Sequence, residues 1–258
     1  ISSSTLFQAA FVPGILILGS VIITNVIVNR IKGYENSLDQ FSLRIWFREL
    51  NKAKYALSIP VIILGGIYSG VFTPTESAAV AAAVSITFGF AQGRLKLAQV
   101  PAILGTSARV CGTILPIIAV ALLFAQALTV LDAPQKFVAA VMALAESPTE
   151  VILFMLAILV VAGCVMETGP NIVVLGPLLM PLAQKIGMDP IHFCIFMVTT
   201  LGLGFITPPF GLNLFVMSGL TRTPVAQIAK HAFPFVISMV IVSVVIGFVP
   251  WISLFTLR

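Results

Sequence analysis

Long, almost uncharged apolar runs recur along this chain, and they restrict its fold more than any other feature. Four of them, residues 6–28, 110–130, 151–165 and 233–251, approach the roughly 20 residues that an α-helix needs to cross a hydrocarbon core about 30 Å thick. Inside that core the backbone must satisfy its own hydrogen bonds, which leaves helices or a closed barrel. Because the runs show no period of two, they predict an all-α integral membrane protein.

Composition and charge support this class and exclude others. Only 9% of the residues are charged and 59% are hydrophobic, whereas a soluble domain carries about 25% charged residues. The net charge of +5 does not indicate nucleic-acid binding, because the basic residues cluster at 30–54, 94–96 and 222–230, as in cytoplasmic loops. The acidic segment 132–150 is then predicted to lie outside.

The segment 30–54 contains an amphipathic pattern. Phe41, Ile45, Trp46 and Leu50 recur at helical spacing between basic residues, which predicts a helix lying in the membrane interface. A solvated loop is the alternative. Separate helices are expected at 55–71, 75–92, 97–108 and 110–130, with the one at 97–108 also interfacial.

A glycine-containing break lies near the middle of residues 151–185. Two full spans with a turn need about 40 residues, so the roughly 35 available favour a re-entrant helical hairpin with its tip, 163–171, inside the membrane. A short external turn between two complete spans is the alternative. Placing the ionisable side chain of Glu167 at that depth in the membrane has a high free-energy cost. We expect it to face a water-filled vestibule or to accept hydrogen bonds from the amides that start the return arm.

A second break, at residues 202–211, contains the pair Pro208-Pro209. As one helix, the surrounding segment 190–222 would be about 50 Å long, more than a straight span requires. Prolines remove amide donors, so the helix is predicted to unwind here. Its freed carbonyls, with the hydroxyls of Thr200 and Thr207, suit a small cation, and the following half-helix suits an anion. Secondary transporters use such broken helices; a plain proline kink is the alternative.

Several motifs, in order along the chain, resemble the large membrane subunit of tripartite ATP-independent periplasmic (TRAP) transporters. They are GGIYSGVFTPTESAA at 65–79, Met166-Glu167-Thr168, GPLLMP at 176–181, DPIHF at 189–193 and GFITPPFGLNLF at 204–215. Each motif is weak alone, but together they are specific and extend from about residue 60 to residue 219.

The resemblance implies the second inverted repeat of an elevator-type transporter, with a re-entrant helical hairpin and a broken transmembrane helix. The implied function is sodium-coupled secondary import of an organic acid, such as a sialic or dicarboxylic acid, with sodium as the coupling ion. The implied partners are the N-terminal half of the same subunit, a small four-helix membrane subunit and a periplasmic substrate-binding protein. We therefore expect a multi-pass protein of the bacterial inner membrane, and expect Ile1 to open a fragment.

On this reading the chain divides into three parts. Residues 1–147 form the leading helix, interfacial arm helices and scaffold-type transmembrane helices. Residues 148–222 form the transport-domain hairpin and broken helix. Residues 223–258 form an interfacial arm and the last transmembrane helix.

The candidate site residues lie at the two breaks. The predicted sodium ligands, mostly through backbone carbonyls, are Gly163, Glu167, Thr168, Gly169, Thr200, Gly204, Thr207 and Pro208. The residues predicted to face the substrate carboxylate are Thr168, Asn171 and Asn213.

Three other function classes are weighed against this one. A one-component sodium–carboxylate symporter with inverted repeats would share the same breaks. An intramembrane enzyme would need a catalytic dyad or metal ligands at depth, and the isolated His192 and His231 do not supply them, so no enzymatic activity is predicted. A scaffold subunit without transport would be expected to have unbroken helices.

Overall fold

The computed structural model describes residues 2–33, 42–209 and 211–257, and all regular structure in these ranges is helical. The helices are α1 (Ser3–Ala9), α2 (Phe11–Lys32), α3 (Leu43–Tyr68), α4 (Pro74–Ala91), α5 (Val100–Val130), α6 (Ala133–Leu144), α7 (Pro148–Val165), α8 (Thr168–Lys185), α9 (Pro190–Gly202), α10 (Leu212–Thr221), α11 (Val225–Phe248) and α12 (Pro250–Leu254). Short 3₁₀ turns lie at Leu97–Gln99, Leu203–Ile206 and Phe255–Leu257.

Four helical stretches of the described chain are long and apolar enough to cross a membrane. They are Ser3–Lys32, Leu97–Val130, Pro148–Val165 and Val225–Phe248. The prediction of an all-α integral membrane protein is confirmed. These four stretches make the chain a multi-pass membrane protein.

The chain forms two compact units. The main unit contains residues 9–32 and 114–257, and the inserted unit contains residues 2–8 and 33–113 apart from 34–41. Each unit is described separately below.

In the inserted unit, α3 packs against α4, and the rings of Tyr55 and Phe88 meet edge to face at 5.0 Å. The turn between the helices is defined by its sequence. Gly70 has a φ of +72°, which favours glycine. Thr73 and Glu76 form a reciprocal capping box at the start of α4, with Pro74 in its first turn.

Two helices are longer than the hydropathy pattern predicts. The expected interfacial helix around Ile45–Leu50 and the expected span from residue 55 are one continuous helix, α3, because residues 43–59 contain no glycine or proline. Phe41, also assigned to that interfacial helix, lies outside the described residues. The predicted boundary between the segments 97–108 and 110–130 is also absent, since α5 runs without a break over 31 residues after the 3₁₀ turn at Leu97–Gln99. The change in polarity at these points does not interrupt either helix.

The core of the main unit lies where α7, α8, α9 and α11 meet. Its fully buried side chains include Met155, Leu159, Leu182, Phe193 and Phe196. This core supports the two breaks described below, because α7 and α9 both end at them.

The DPIHF motif caps the start of α9 and connects it by hydrogen bonds to α11 and α12. The Asp189 carboxylate caps α9 by accepting from the amides of Ile191 and His192, at 2.8 and 3.2 Å. His192 is 1% exposed, and its Nε2 lies 3.3 Å from the carbonyl of Gly247. A carbonyl only accepts, so Nε2 carries the proton and Nδ1 accepts from the Ser253 hydroxyl at 3.1 Å. The imidazole thus links α9 to α11 and α12.

Candidate functional site

The first break is a tight helical hairpin. Helix α7 ends at Val165 and α8 begins at Thr168, so Met166 and Glu167 alone connect them. Asn171 is 1% exposed, and its Nδ2 donates to the carbonyls of Ala162 and Met166, each at 3.0 Å. One amide group therefore ties the first turn of α8 to the last turn of α7.

The last carbonyls of α7 remain available to a ligand. The final turn of any helix leaves carbonyls without intrahelical partners. Asn171 satisfies those of Ala162 and Met166, but within the described chain the carbonyls of Gly163, Cys164 and Val165 accept no hydrogen bond. Three successive residues at the end of α7 therefore carry carbonyls that no donor in the described chain satisfies.

The second break interrupts the helix that begins at Pro190. Helix α9 ends at Gly202, one 3₁₀ turn follows, and helical structure resumes at Leu212. The predicted break is confirmed, and the Pro208-Pro209 peptide bond is cis. Phe210 lies outside the described residues.

Two threonine hydroxyls on this helix donate back to their own backbone. Thr200 donates to Phe196 and Thr207 donates to Leu203, both at 2.7 Å. A hydroxyl that donates keeps its lone pairs, so each oxygen still has acceptor capacity for a cation.

The two breaks meet through glycine backbones. A Cβ placed on Gly163 would lie 3.0 Å from the carbonyl oxygen of Leu201. A Cβ placed on Gly204 would collide with the backbone of Gly163. Side chains are therefore excluded from this contact, and the hairpin approaches the unwound segment as closely as two backbones allow.

A cavity of about 160 Å³ lies beside this contact. Its described lining residues are Gly163, Met166, Glu167, Thr168, Gly204, Phe205 and Leu212. Four of these, Gly163, Glu167, Thr168 and Gly204, are residues that the sequence predicts for the site. The other three are apolar and carry no polar signal that would have marked them.

The remaining predicted residues do not line the cavity. Asn171, Thr200 and Thr207 donate their hydrogen atoms to backbone carbonyls, as described above. Asn213 is exposed on the first turn of α10, and Pro208 and Gly169 are exposed at the two breaks. Their roles as ligands or substrate contacts stay predictions.

One expectation for Glu167 is wrong. Its side chain does not cap α8, although it holds the N-cap position. A capping side chain bonds to the amide two or three residues further on, and the residue three positions on is Pro170, which has no amide hydrogen. The carboxylate instead lines the cavity, which is the other arrangement expected for it.

The electrostatics of the cavity favour a cation beside an anion. The negative, carbonyl-bearing end of α7 reaches it through Gly163, while the positive N-terminal ends of α8 and α10 reach it through Thr168 and Leu212. Glu167 is the one ionisable side chain among the described lining residues. The described chain contains no cluster of three or more His, Cys, Asp or Glu residues for a transition metal. Backbone oxygens suit a hard monovalent ion better.

Comparison with known proteins assigns the chain to a family. Residues 1–252 match the model of the DctM component of tripartite ATP-independent periplasmic transporters. The chain belongs to the TRAP transporter large-permease family. This family consists of transporters and not of enzymes, and the match favours it over the one-component symporter considered above.

The names of three relatives in this family state different transported substrates. The chain is 39% identical, over 98% of its length, to the C4-dicarboxylate TRAP transporter large permease protein DctM of Pseudomonas aeruginosa, and covers 59% of that protein. It is 32% identical to the isethionate TRAP transporter permease protein DctMQ of Oleidesulfovibrio alaskensis over 98% of the chain, covering 40% of that protein. It is 28% identical to the 2,3-diketo-L-gulonate TRAP transporter large permease protein YiaN of Escherichia coli. This match extends over 100% of the chain and covers 61% of YiaN. The chain thus spans less than two thirds of each relative.

Proposed function

We propose that the TRAP permease to which this chain contributes imports a small organic acid by sodium-coupled secondary transport. The observation that supports this most directly is the meeting of two helix breaks at one cavity, with three unpartnered carbonyls at the tip of the hairpin. Irregular backbone at membrane depth is tolerated where it lines such a cavity. The named cargoes of the relatives, a C4-dicarboxylate, isethionate and 2,3-diketo-L-gulonate, are all small organic anions.

The proposed coupling follows from charge balance. Sodium binds the carbonyls at the end of α7 and cross-links the hairpin tip to the unwound segment near Thr207. The substrate anion binds where the N-terminal ends of α8 and α10 point, next to Thr168 and Leu212. Each ion offsets the charge of the other, so the doubly loaded site crosses the apolar part of the membrane at lower cost than either ion alone. No bond in the substrate changes.

The partners in this proposal are those of a tripartite system. They are the N-terminal half of the same subunit, a small membrane subunit and a periplasmic substrate-binding protein that delivers the acid. The division of this chain into scaffold parts (1–147), transport domain (148–222) and last helix (223–258), with movement of the transport domain as an elevator, belongs to the same proposal.

The function is tested with the complete transporter and its binding protein in proteoliposomes. Uptake of a labelled C4-dicarboxylate is measured against the external sodium concentration, with potassium replacing sodium at constant ionic strength. We expect uptake to require sodium. Equal uptake in potassium would contradict sodium coupling, and absence of uptake for every organic acid that the binding protein binds would contradict the proposed cargo class.

Thr207 is expected to contribute to the sodium site through its hydroxyl oxygen. We expect Thr207→Ala to raise the half-saturating sodium concentration about tenfold, because one weak oxygen ligand is worth roughly 1–1.5 kcal/mol. Thr207→Ser keeps the oxygen and the bond to Leu203 and serves as the matched control. If both variants titrate with sodium like the wild type, Thr207 is not a ligand.

We expect the oxygen atoms of Glu167 to contribute more to transport than its negative charge does. The carboxylate lines the cavity and makes no cap, so Glu167→Gln keeps the size and one acceptor oxygen there. We expect Glu167→Gln to retain a third or more of wild-type uptake and Glu167→Ala to lose at least about 90%, equivalent to roughly 1.4 kcal/mol. Uptake is compared at equal amounts of inserted protein. Equally inactive variants would show that the charge itself takes part in coupling.

A further inference from the structure

Three cations of the inserted unit have no acidic partner among the residues that the structure describes. The sequence contains no Asp or Glu between residues 77 and 131, yet Arg94, Lys96 and Arg109 lie within that stretch. All three residues are exposed, and within the described chain none of their side chains forms an ion pair or hydrogen bond. This part of the protein therefore presents positive charge that its own described residues do not neutralise.

The turn that carries Arg94 has a defined geometry. Gly93 has a φ of +66° and follows the end of α4. The amides of Arg94 and Leu95 both donate to the carbonyl of Gly89, each at 3.0 Å, which closes a Schellman-type helix end. Leu95 also packs against Gly89. A Cβ added to Gly89 would lie only 3.0 Å from the Cβ of Leu95. Arg94 is thus held on a well-defined turn.

A groove of about 690 Å³ runs from this turn along the first turns of α5. Arg94 lines one end of it, and Leu95, Ala98, Ala102 and Ile103 give it apolar walls. The hydroxyl residues Thr106 and Ser107 lie at the other end. The groove therefore combines a cationic side chain with apolar walls and, through Gln99, Thr106 and Ser107, three hydrogen-bonding side chains.

The length of α5 indicates the depth of the groove in the membrane. Residues 110–131 carry no charge, and at 1.5 Å per residue they cover about 33 Å, enough for the whole hydrocarbon core. Arg109 then marks the edge of the core, and residues 94–107 lie at the level of the lipid headgroups. The basic residues at this end indicate the cytoplasmic face.

We propose that this groove binds one anionic phospholipid of the cytoplasmic leaflet. The phosphate lies beside Arg94, while Lys96, two residues further along the same turn, and the N-terminal end of α5 add positive charge nearby. The glycerol and the upper part of one acyl chain lie along Ala98, Ala102 and Ile103. A single phospholipid matches the charge, the lining and the depth of the groove better than a protein partner does.

The test uses the full-length transporter with both membrane subunits, purified in detergent containing equal amounts of phosphatidylglycerol and phosphatidylethanolamine. Native mass spectrometry measures the occupancy of bound phosphatidylglycerol as its concentration is varied. We expect the double variant Arg94→Gln/Lys96→Gln to bind phosphatidylglycerol roughly 25-fold more weakly, at about fivefold for each cation removed. Ala102→Phe, which keeps all charges but fills the groove, should lower occupancy as well.

The matched control removes two cations elsewhere in the same unit. Arg48 and Lys52 are exposed and both pair with Glu49, at 3.1 and 2.9 Å, so Arg48→Gln/Lys52→Gln changes the net charge equally without touching the groove. Equal weakening by this control, or unchanged binding in Ala102→Phe, would overturn the proposal. Loss of the small membrane subunit from Arg94→Gln/Lys96→Gln, with phosphatidylglycerol retained, would identify a protein as the occupant and also overturn it.

Discussion

Replacing Gly204 by alanine should reduce transport by roughly 100-fold, because a displacement of about 1 Å at a positioned site has an effect of that size. The added Cβ would collide with the backbone of Gly163, and backbone cannot rotate away as a flexible side chain can. The hairpin must therefore move off the unwound segment, which separates the α7 carbonyls from Thr207. Overpacking of this kind also costs about 1–3 kcal/mol in stability, so the melting temperature should fall.

Gly202→Ala is the matched control for this experiment. It makes the same chemical change two residues away, at the last residue of α9, where a Cβ would meet nothing within 4 Å. Uptake and thermal stability of both variants are measured in the complete transporter at equal membrane insertion. Near-wild-type uptake by Gly204→Ala, or equal losses in both variants, would show that the glycine contact does not determine the geometry of the site.

Asn171→Asp should be as damaging as removing the side chain altogether. The Nδ2 of Asn171 lies 3.0 Å from two carbonyl oxygens, and in aspartate an oxygen would face them instead. Asn171→Ala leaves the Met166 carbonyl without its donor and the Ala162 carbonyl with only the Met166 amide, and an unsatisfied buried group costs about 1–3 kcal/mol. We therefore expect both variants to lose at least about 95% of uptake, because the hairpin tip no longer holds its shape.

The kinetic pattern distinguishes this positioning role from a contact with substrate. If Asn171 holds the tip, its variants lower the maximal rate and raise the half-saturating concentration of sodium. If it binds the substrate carboxylate, as the sequence alone predicts, the half-saturating concentration of substrate rises while the sodium dependence stays the same. Asn213→Ala provides the comparison, because Asn213 is exposed at the start of α10 and is also predicted to face substrate. Identical changes in both asparagine variants would contradict the positioning role.

The sequence locates the two breaks of the fold because they depend on local chemistry. Pro208 and Pro209 cannot continue a helix, and the Gly169-Pro170 pair marks the start of the return arm. The helix ends at the connection between α3 and α4 follow from Gly70 and Pro74 in the same way. Where no such residue occurs, hydropathy alone places helix boundaries poorly, and α3 and α5 each continue through a predicted boundary.

The roles within the site depend on contacts that no local pattern encodes. The inward orientation of Asn171 depends on the carbonyl of Ala162, nine residues earlier on the other arm of the hairpin. The contact between Gly163 and Gly204 joins residues far apart in the chain. Met166, Phe205 and Leu212 line the cavity but resemble the apolar residues around them. Sequence reasoning therefore finds the segments of the site more readily than the part that each side chain plays.

The packing of α2 against α11 has a consequence for the order in which the protein is synthesised. The two helices touch along their length, and the Ser238 hydroxyl donates to the carbonyl of Ser20 at 3.4 Å. Translation of the roughly 200 residues between them takes about 10–40 s at 5–20 residues per second. During that interval α2 is already made while the helix it packs against is not. The face of nascent α2 that later packs against α11 therefore lacks that helix during the interval, and a ribosome stalled before residue 225 should leave this face accessible to cross-linking.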